Sequence, residues 1–217
     1  MPVHVRKYLR RRRDVLPSSS LSQHSGWNTN QSVLEDVTWL HQQRPLGAIF
    51  PDAHKMPIAK RLKEWGVDVM NIPVERETSD FLMASANVEG KMHLSGALGY
   101  RTDKFKYLTL SHELAHFLQF VEGRIDWEKQ GAGYSDIHEW ISMSHEADAM
   151  RWSVRQAKAM GMSPRDFYMT YPGKEMRIIA DPVFKGTWPE EHGVRPEFPG
   201  GRSYIDISQR RRKKHGG

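Results

Sequence analysis

The chain has 217 residues, of which 38% are hydrophobic and 10% aromatic, enough to build a core and to exclude full disorder or collagen. It has no cysteine, which excludes a disulfide scaffold, a thiolate zinc site and a Cys nucleophile, and no apolar run nears the roughly 18 to 20 residues of a bilayer span. The formal charge of +6 belongs to the ends, so it does not make the body of the chain a nucleic-acid binder.

Residues 1–13 carry Arg6, Lys7, Arg10, Arg11, Arg12 and Arg13 with no acid, a charge of +6. Arg210, Arg211, Arg212, Lys213 and Lys214 add +5 at the other end. The two arms together exceed the total by five, leaving −5 on residues 14–209. The start lacks the apolar stretch of a secretory signal, although an Arg- and Ser-rich leader is also the composition of an organelle transit peptide. With no cysteine to oxidise, a reducing, cytoplasmic setting is expected. Residues 17–31 (PSSSLSQHSGWNTNQ) read as a flexible linker.

Order is expected from residue 32. Ser32 and Glu35 have capping-box spacing, and Val33, Leu34, Val37 and Leu40 follow a helical period. Pro45, Gly47 and Pro51 break that helix. A second helix over 56–65 places Ile58, Leu62 and Trp65 on one face, with Gly66 to stop it. VDVMNIPV (67–74) alternates like a strand, and FLMASANV (81–88) with KMHLSG (91–96) forms a hairpin around Glu89-Gly90. Long helices are expected over 104–121 and 136–160, separated by a loop at 123–135. Gly161 ends the second, and Ser163-Pro164 opens a short third. Beyond 172 the chain is rich in Pro and Gly with little periodicity. Helices, a small antiparallel or mixed sheet and then helices make the class α+β. Three segments follow: a basic arm and linker (1–31), a folded domain (32–171) and a C-terminal extension with a basic tail (172–217).

Residues 112–116 read HELAH. Zinc needs neutral imidazole nitrogens that converge on one point. Four residues along a helix turn the side-chain direction by about 400°, so His112 and His116 project from one face a turn apart. Glu113 lies one residue around, off the ligand axis, where it can take a proton from a zinc-bound water whose pKa the metal lowers to about 7. A catalytic zinc usually takes three protein ligands, and the third is expected on the next long helix, in DIHEWISMSHEADAMRW. Glu146 leads, because it falls on the stripe Met143, Ala147, Met150, Val154 and Ala157, where a buried carboxylate needs a cation or strong donors. His145, Glu139 and His138 are alternatives. Asp148, three residues beyond His145, could orient that ring.

KMHLS, then YLTLSHELAHFL, then HEADAM about 30 residues later resembles the ImmA/IrrE-type metallopeptidases, and MPIAKRLKEWGVDVMNIPV is similar to the helix and strand that open their domain. The likeness spans roughly residues 55–162. Ala115 stands where the family usually has Gly, and Asp148 where it commonly has Asn. The resemblance implies a zincin-like α+β domain in 32–171, one Zn2+ per chain on His112, His116 and Glu146, and Glu113 as general base. It implies an extended peptide bound along the sheet edge beside the HELAH helix, a specific protein substrate such as a repressor, and a bacterial or phage-encoded source.

Tyr100, Tyr134 and His138 flank the two ligand helices and are candidates to steady a transition-state oxyanion. His93 in the KMHLS strand is a weaker candidate. Trp127, Trp140 and Trp152 read as packing rather than base-stacking platforms. The basic ends (Arg10, Arg11, Arg12, Arg13, Arg210, Arg211, Arg212, Lys213, Lys214) are either solvated tails or non-specific phosphate contacts. Two other functions fit the same residues. One is a SprT-like DNA-associated protease, which favours a third His. The other is a non-catalytic DNA-binding or virion-associated protein on a zincin scaffold.

Overall fold

The computed structural model describes residues 26–35, 43–77, 84–86, 90–124 and 144–188. Their helices are α1 (Gln31–Glu35), α2 (Leu46–Ile49), α3 (Pro57–Glu64), α4 (Asp103–Val121), α5 (Ser144–Ala159), α6 (Pro164–Thr170) and α7 (Lys174–Phe184). Four strands, β1 (Arg44–Pro45), β2 (Pro73–Glu77), β3 (Ala84–Ala86) and β4 (Met92–Ser95), form one sheet in the order β1-β2-β4-β3. The class is α+β. No helix among the described residues is long and apolar enough to cross a membrane.

The sheet is mixed. Its central pair, β2 and β4, runs parallel with Val74 beside Met92 and Glu77 beside Ser95. The outer strands are antiparallel, Arg44 opposite Val74 on one edge and Ala84 opposite Leu94 on the other. The expected hairpin is therefore present as β3 and β4. Gly90, just before β4, has φ 81°, a backbone that glycine adopts without strain. The expected strand over 67–74 is corrected. Asp68 accepts a hydrogen bond from the Met70 N–H (3.0 Å) and caps a 3-10 turn at Val69–Asn71, so extended backbone begins only at Pro73.

α4 is the axis of the fold. Thr102 caps it by accepting from the Phe105 N–H, and its residues are buried on nearly every face. A helix buried all round must have neighbours all round. α5 lies antiparallel on one side. The Ser111 hydroxyl donates to the Trp152 carbonyl (3.0 Å), and the Ser153 hydroxyl donates to the Leu108 carbonyl (2.9 Å). These reciprocal bonds, with Ala115 and Ala149 also buried, let the backbones approach closely and fix the register of the two helices.

Three further expectations change. Residues 26–31 are not linker-like: Trp27 is buried edge-on against Tyr107, whose hydroxyl donates to the Asn28 carbonyl (2.6 Å). Ser32 is not the N-cap, because α1 starts at Gln31 and the Ser32 hydroxyl donates to Asn30 Oδ1. The segment after 172 contains α7, whose Met176, Ile179, Ala180 and Val183 repeat at i, i+3, i+4 and i+7 and join the core. Pro182 lies inside that helix and obscures its period. Ser163 at the N-cap, Pro164 at N1, and Gly66 and Gly161 at helix ends are as expected, and Asp166 completes a capping box with Ser163 that the sequence reading did not include. Residues 125–143, including the first third of the expected second long helix, lie outside the described residues, as do 36–40 and both basic ends.

Candidate metal centre

His112 and His116 sit one turn apart on α4 and face Glu146 in the first turn of α5. All three are buried. His112 Nε2 is 3.1 Å from Glu146 Oε2, His116 Nε2 is 3.5 Å from the same oxygen, and the two nitrogens are 3.2 Å apart. In a tetrahedral zinc site with metal–ligand bonds of about 2.0 to 2.1 Å, ligand atoms stand about 3.3 Å from one another. The three contacts therefore trace one face of such a tetrahedron. Two imidazole nitrogens and a carboxylate oxygen meeting at this spacing in a buried site need a proton or a cation between them. Among the described residues this is the one group of three or more His, Asp or Glu side chains close enough to hold a metal ion.

The electrostatics agree with a cation site. Burial opposes ionisation of Glu146, but hydrogen bonds from His112 and His116 outweigh it and hold the carboxyl down at about 2. Burial also works against charge on His116, yet Glu146, Glu113 and Gln119 together raise its pKa above the usual histidine value. Glu113 behaves oppositely. Desolvation pushes its carboxyl above the ordinary range, Glu146 adds to the rise, and the His pair and a hydrogen bond from the Ala86 backbone N–H only partly offset it. That N–H belongs to β3, the edge strand packed against α4. Glu113 is thereby anchored between the edge of the sheet and the His pair.

His145 is close but placed differently. Its Nε2 lies 3.4 Å from Oε1 of Glu146, the oxygen turned away from the His pair, and its ring centre is 6.1 Å from that of His116. It braces the carboxylate. Burial and the neighbouring His residues lower its pKa, although Glu146 opposes them. Asp148 does not orient the His145 ring, which corrects that expectation. Its Oδ2 accepts from Gln119 Nε2 (3.0 Å) and from Arg124 Nη1 (2.8 Å). Gln119 is fully buried, its Oε1 meets His116 Nδ1 at 3.0 Å, and its amide also donates to the His145 carbonyl (2.7 Å). An amide oxygen can only accept, so His116 carries a proton on Nδ1, which leaves Nε2 as the atom that would face a cation in place of a proton.

Gln119 was not foreseen. Its signal lay three residues after His116, a polar amide on a helix otherwise buried among Phe117, Leu118 and Val121. Tyr171 had no such signal. It follows α6 in sequence but packs against Phe105 and Phe167, and its hydroxyl shares a hydrogen bond with Thr109, one turn before Glu113. Burial pushes this phenol up to about 12, with the Glu113 charge adding to the rise.

The foreseen oxyanion candidates fare differently. Tyr100 is 87% exposed at the end of a 3-10 turn and touches none of the cluster among the described residues. Tyr134, His138 and Glu139 lie outside the described residues, as do Arg10, Arg11, Arg12, Arg13, Arg210, Arg211, Arg212, Lys213 and Lys214. His93 pairs across the sheet with Glu75 and Ser85, and its Nδ1 lies 3.9 Å from the Glu75 carboxylate. Trp152 packs under the Arg155 guanidinium, which fits the packing role expected of it. No protein-family model, curated protein or solved structure matches the chain, so a functional assignment rests on the geometry of these residues.

Proposed function

We infer that the chain is a zinc metallopeptidase of the ImmA/IrrE type that cuts a specific, repressor-like or regulatory protein in the cytoplasm. The observation that carries this reading is the triangle of His112 Nε2, His116 Nε2 and Glu146 Oε2, with edges of 3.1 to 3.5 Å, beside the anchored carboxyl of Glu113. Two imidazoles and one carboxylate are a donor set that zinc accepts in hydrolytic enzymes, and one ion per chain would be held by these three residues. Such an ion supplies Lewis acidity, polarising a carbonyl and lowering the pKa of water.

The protein residues do the rest. Gln119 keeps His116 in the tautomer that offers Nε2, and His145 holds the far oxygen of Glu146. Glu113, with its carboxyl raised above the ordinary range by burial, stands beside the triangle where it can accept and return a proton. It accepts the proton of the attacking water as the new C–O bond forms, then gives it to the amine nitrogen as the C–N bond breaks. β3 is an edge strand beside this carboxyl, and an edge offers unpaired backbone groups to an extended peptide.

The SprT-like alternative, which needs a third His, has less support, because His145 faces the outer oxygen of Glu146 rather than completing the triangle. Two measurements test the proposal. The purified chain should bind one zinc, and Glu113→Gln should keep that zinc while slowing cleavage of the substrate by about 10²–10⁴-fold. A chain that takes up no zinc on titration is not a metallopeptidase of this kind.

A further inference from the structure

α4 ends in a turn that brings the chain back onto Gln119. With Gly123 at φ 68°, the Gly123 N–H reaches the Phe120 carbonyl (3.0 Å) and the Arg124 N–H reaches the Gln119 carbonyl (2.9 Å). Arg124 is thus tied by its backbone to the residue that meets His116 Nδ1. Its side chain returns to the same residue by a second route. Arg124 Nη1 donates to Asp148 Oδ2 (2.8 Å), and that one oxygen also accepts from Gln119 Nε2 (3.0 Å).

The shared oxygen bears on the metal site through the Gln119 amide. The accepting and donating ends of an amide have nearly the same shape, so its neighbours decide which way it points. The Nε2 group of Gln119 faces two acceptors, Asp148 Oδ2 and the His145 carbonyl (2.7 Å), which turns Oε1 toward His116 Nδ1. Turned the other way, Nε2 would donate to Nδ1. The neutral ring would then carry its proton on Nε2, the atom that faces His112 and Glu146, and no cation could bind there. The orientation of one buried amide therefore decides whether His116 is a ligand.

Asp148 imposes that orientation only while it stays in place. Its side chain is 13% exposed, and a carboxylate so little hydrated needs a cation. Among the described residues Arg124 is the cation that bonds to it, and Arg151 acts on it only through space. Arg124 is itself anchored. Its Nε and Nη2 both engage Oε2 of buried Glu122 at 2.6 Å, and the other Glu122 oxygen takes Arg61 of α3 (3.1 Å). A planar guanidinium can serve two carboxylates from two of its edges at once.

We propose that Arg124 is a positioning residue of the metal centre: it holds Asp148 on Gln119, and through that amide keeps His116 Nε2 available to zinc. The proposal rests on the His112, His116 and Glu146 cluster binding zinc, but not on cleavage of a peptide.

A double-mutant cycle in zinc affinity, measured on the full chain by competition with a chelator, tests it. Arg124→Gln should weaken zinc binding about tenfold, the lower end of the cost of losing an outer-shell partner. In a Gln119→Leu background the same change should alter affinity less than about twofold, because the route is already cut. A role confined to tying helix ends together would lower the urea midpoint in both backgrounds and leave zinc affinity alone. The His116 Nδ1–H proton, sharp and slow to exchange in NMR spectra while Gln119 accepts it, should broaden in Arg124→Gln. Asp148→Leu leaves Arg124 on Glu122 and carries the same cycle if Arg124→Gln fails to fold. Unchanged affinity or an unchanged Nδ1–H signal in the folded variants, or an equal loss in both backgrounds, overturns the proposal and leaves the metal centre standing. A natural chain that takes up no zinc overturns both.

Discussion

Replacing Gln119 by leucine separates a metal centre from an accidental meeting of polar side chains. Gln119 is fully buried and spans three groups: His116 Nδ1 at 3.0 Å, the His145 carbonyl at 2.7 Å and Asp148 Oδ2 at 3.0 Å. Leucine has similar bulk and can fill the space, so little cavity cost is expected. The His116 Nδ1–H loses this acceptor, while Asp148 keeps Arg124, so destabilisation should be about 1–3 kcal/mol. Loss of the group that orients a ligating His typically lowers metal affinity about 10- to 100-fold.

Gln119→Glu should split these effects. A carboxylate still accepts from His116 Nδ1, but it can no longer donate to the His145 carbonyl and it faces the Asp148 carboxylate. Zinc affinity should therefore stay within a few-fold of the natural chain while stability falls. Urea unfolding gives the stability difference as a shifted midpoint at constant slope, and competition with a chelator gives the zinc affinity. If Gln119→Leu binds zinc as tightly as the natural chain, Gln119 does not orient His116 as a ligand. The reading of the whole cluster would then need revision.

Three other perturbations test separate parts of the structure. Glu146→Ala should abolish zinc retention through dialysis while His145→Ala keeps it, and the reverse ranking would make His145 the ligand. Ile179→Ala should destabilise the chain by about 2–5 kcal/mol, as for a buried core residue, and an effect below about 0.5 kcal/mol would mean that α7 does not belong to the core. Hydrogen bonds from Ser163 hold the Asp166 carboxyl below its usual value, so Ser163→Ala should cost about 0.5–2 kcal/mol at neutral pH. A depressed carboxyl stabilises above its unfolded-state pKa of about 3.9 and loses that contribution as pH falls. The difference between Ser163→Ala and the natural chain should accordingly shrink below pH about 4.

Local signals were legible where one short segment decided the outcome. HELAH placed two imidazoles on one face and a neighbouring acid beside them by helical rotation alone. Ser163-Pro164 placed a helix start, Gly66 and Gly161 placed two helix ends, and the turn at Gly90 placed a hairpin. Readings failed where a competing local bond or a distant neighbour won. Asp68 captured the Met70 N–H and turned an alternating segment into a 3-10 turn. Trp27 found Tyr107, eighty residues away, and drew an apparently linker-like stretch into the core. Pro182 masked a helix whose apolar face becomes meaningful only once α5 is there to cover it.

Length, composition and charge by themselves determined a chain with a real core, no thiol chemistry, and basic ends around a body at −5. They also determined that His112 and His116 share a face, because rotation per residue is a property of any helix. What only the tertiary structure decided is what meets that face. The antiparallel register of α4 and α5, set by Ser111 and Ser153 reaching across to each other's backbones, brings Glu146 rather than His145 into the triangle. It sends Asp148 to Gln119 instead of to a histidine ring. Sequence spacing carries angles along one helix, whereas distances between two helices depend on the packing of every side chain between them.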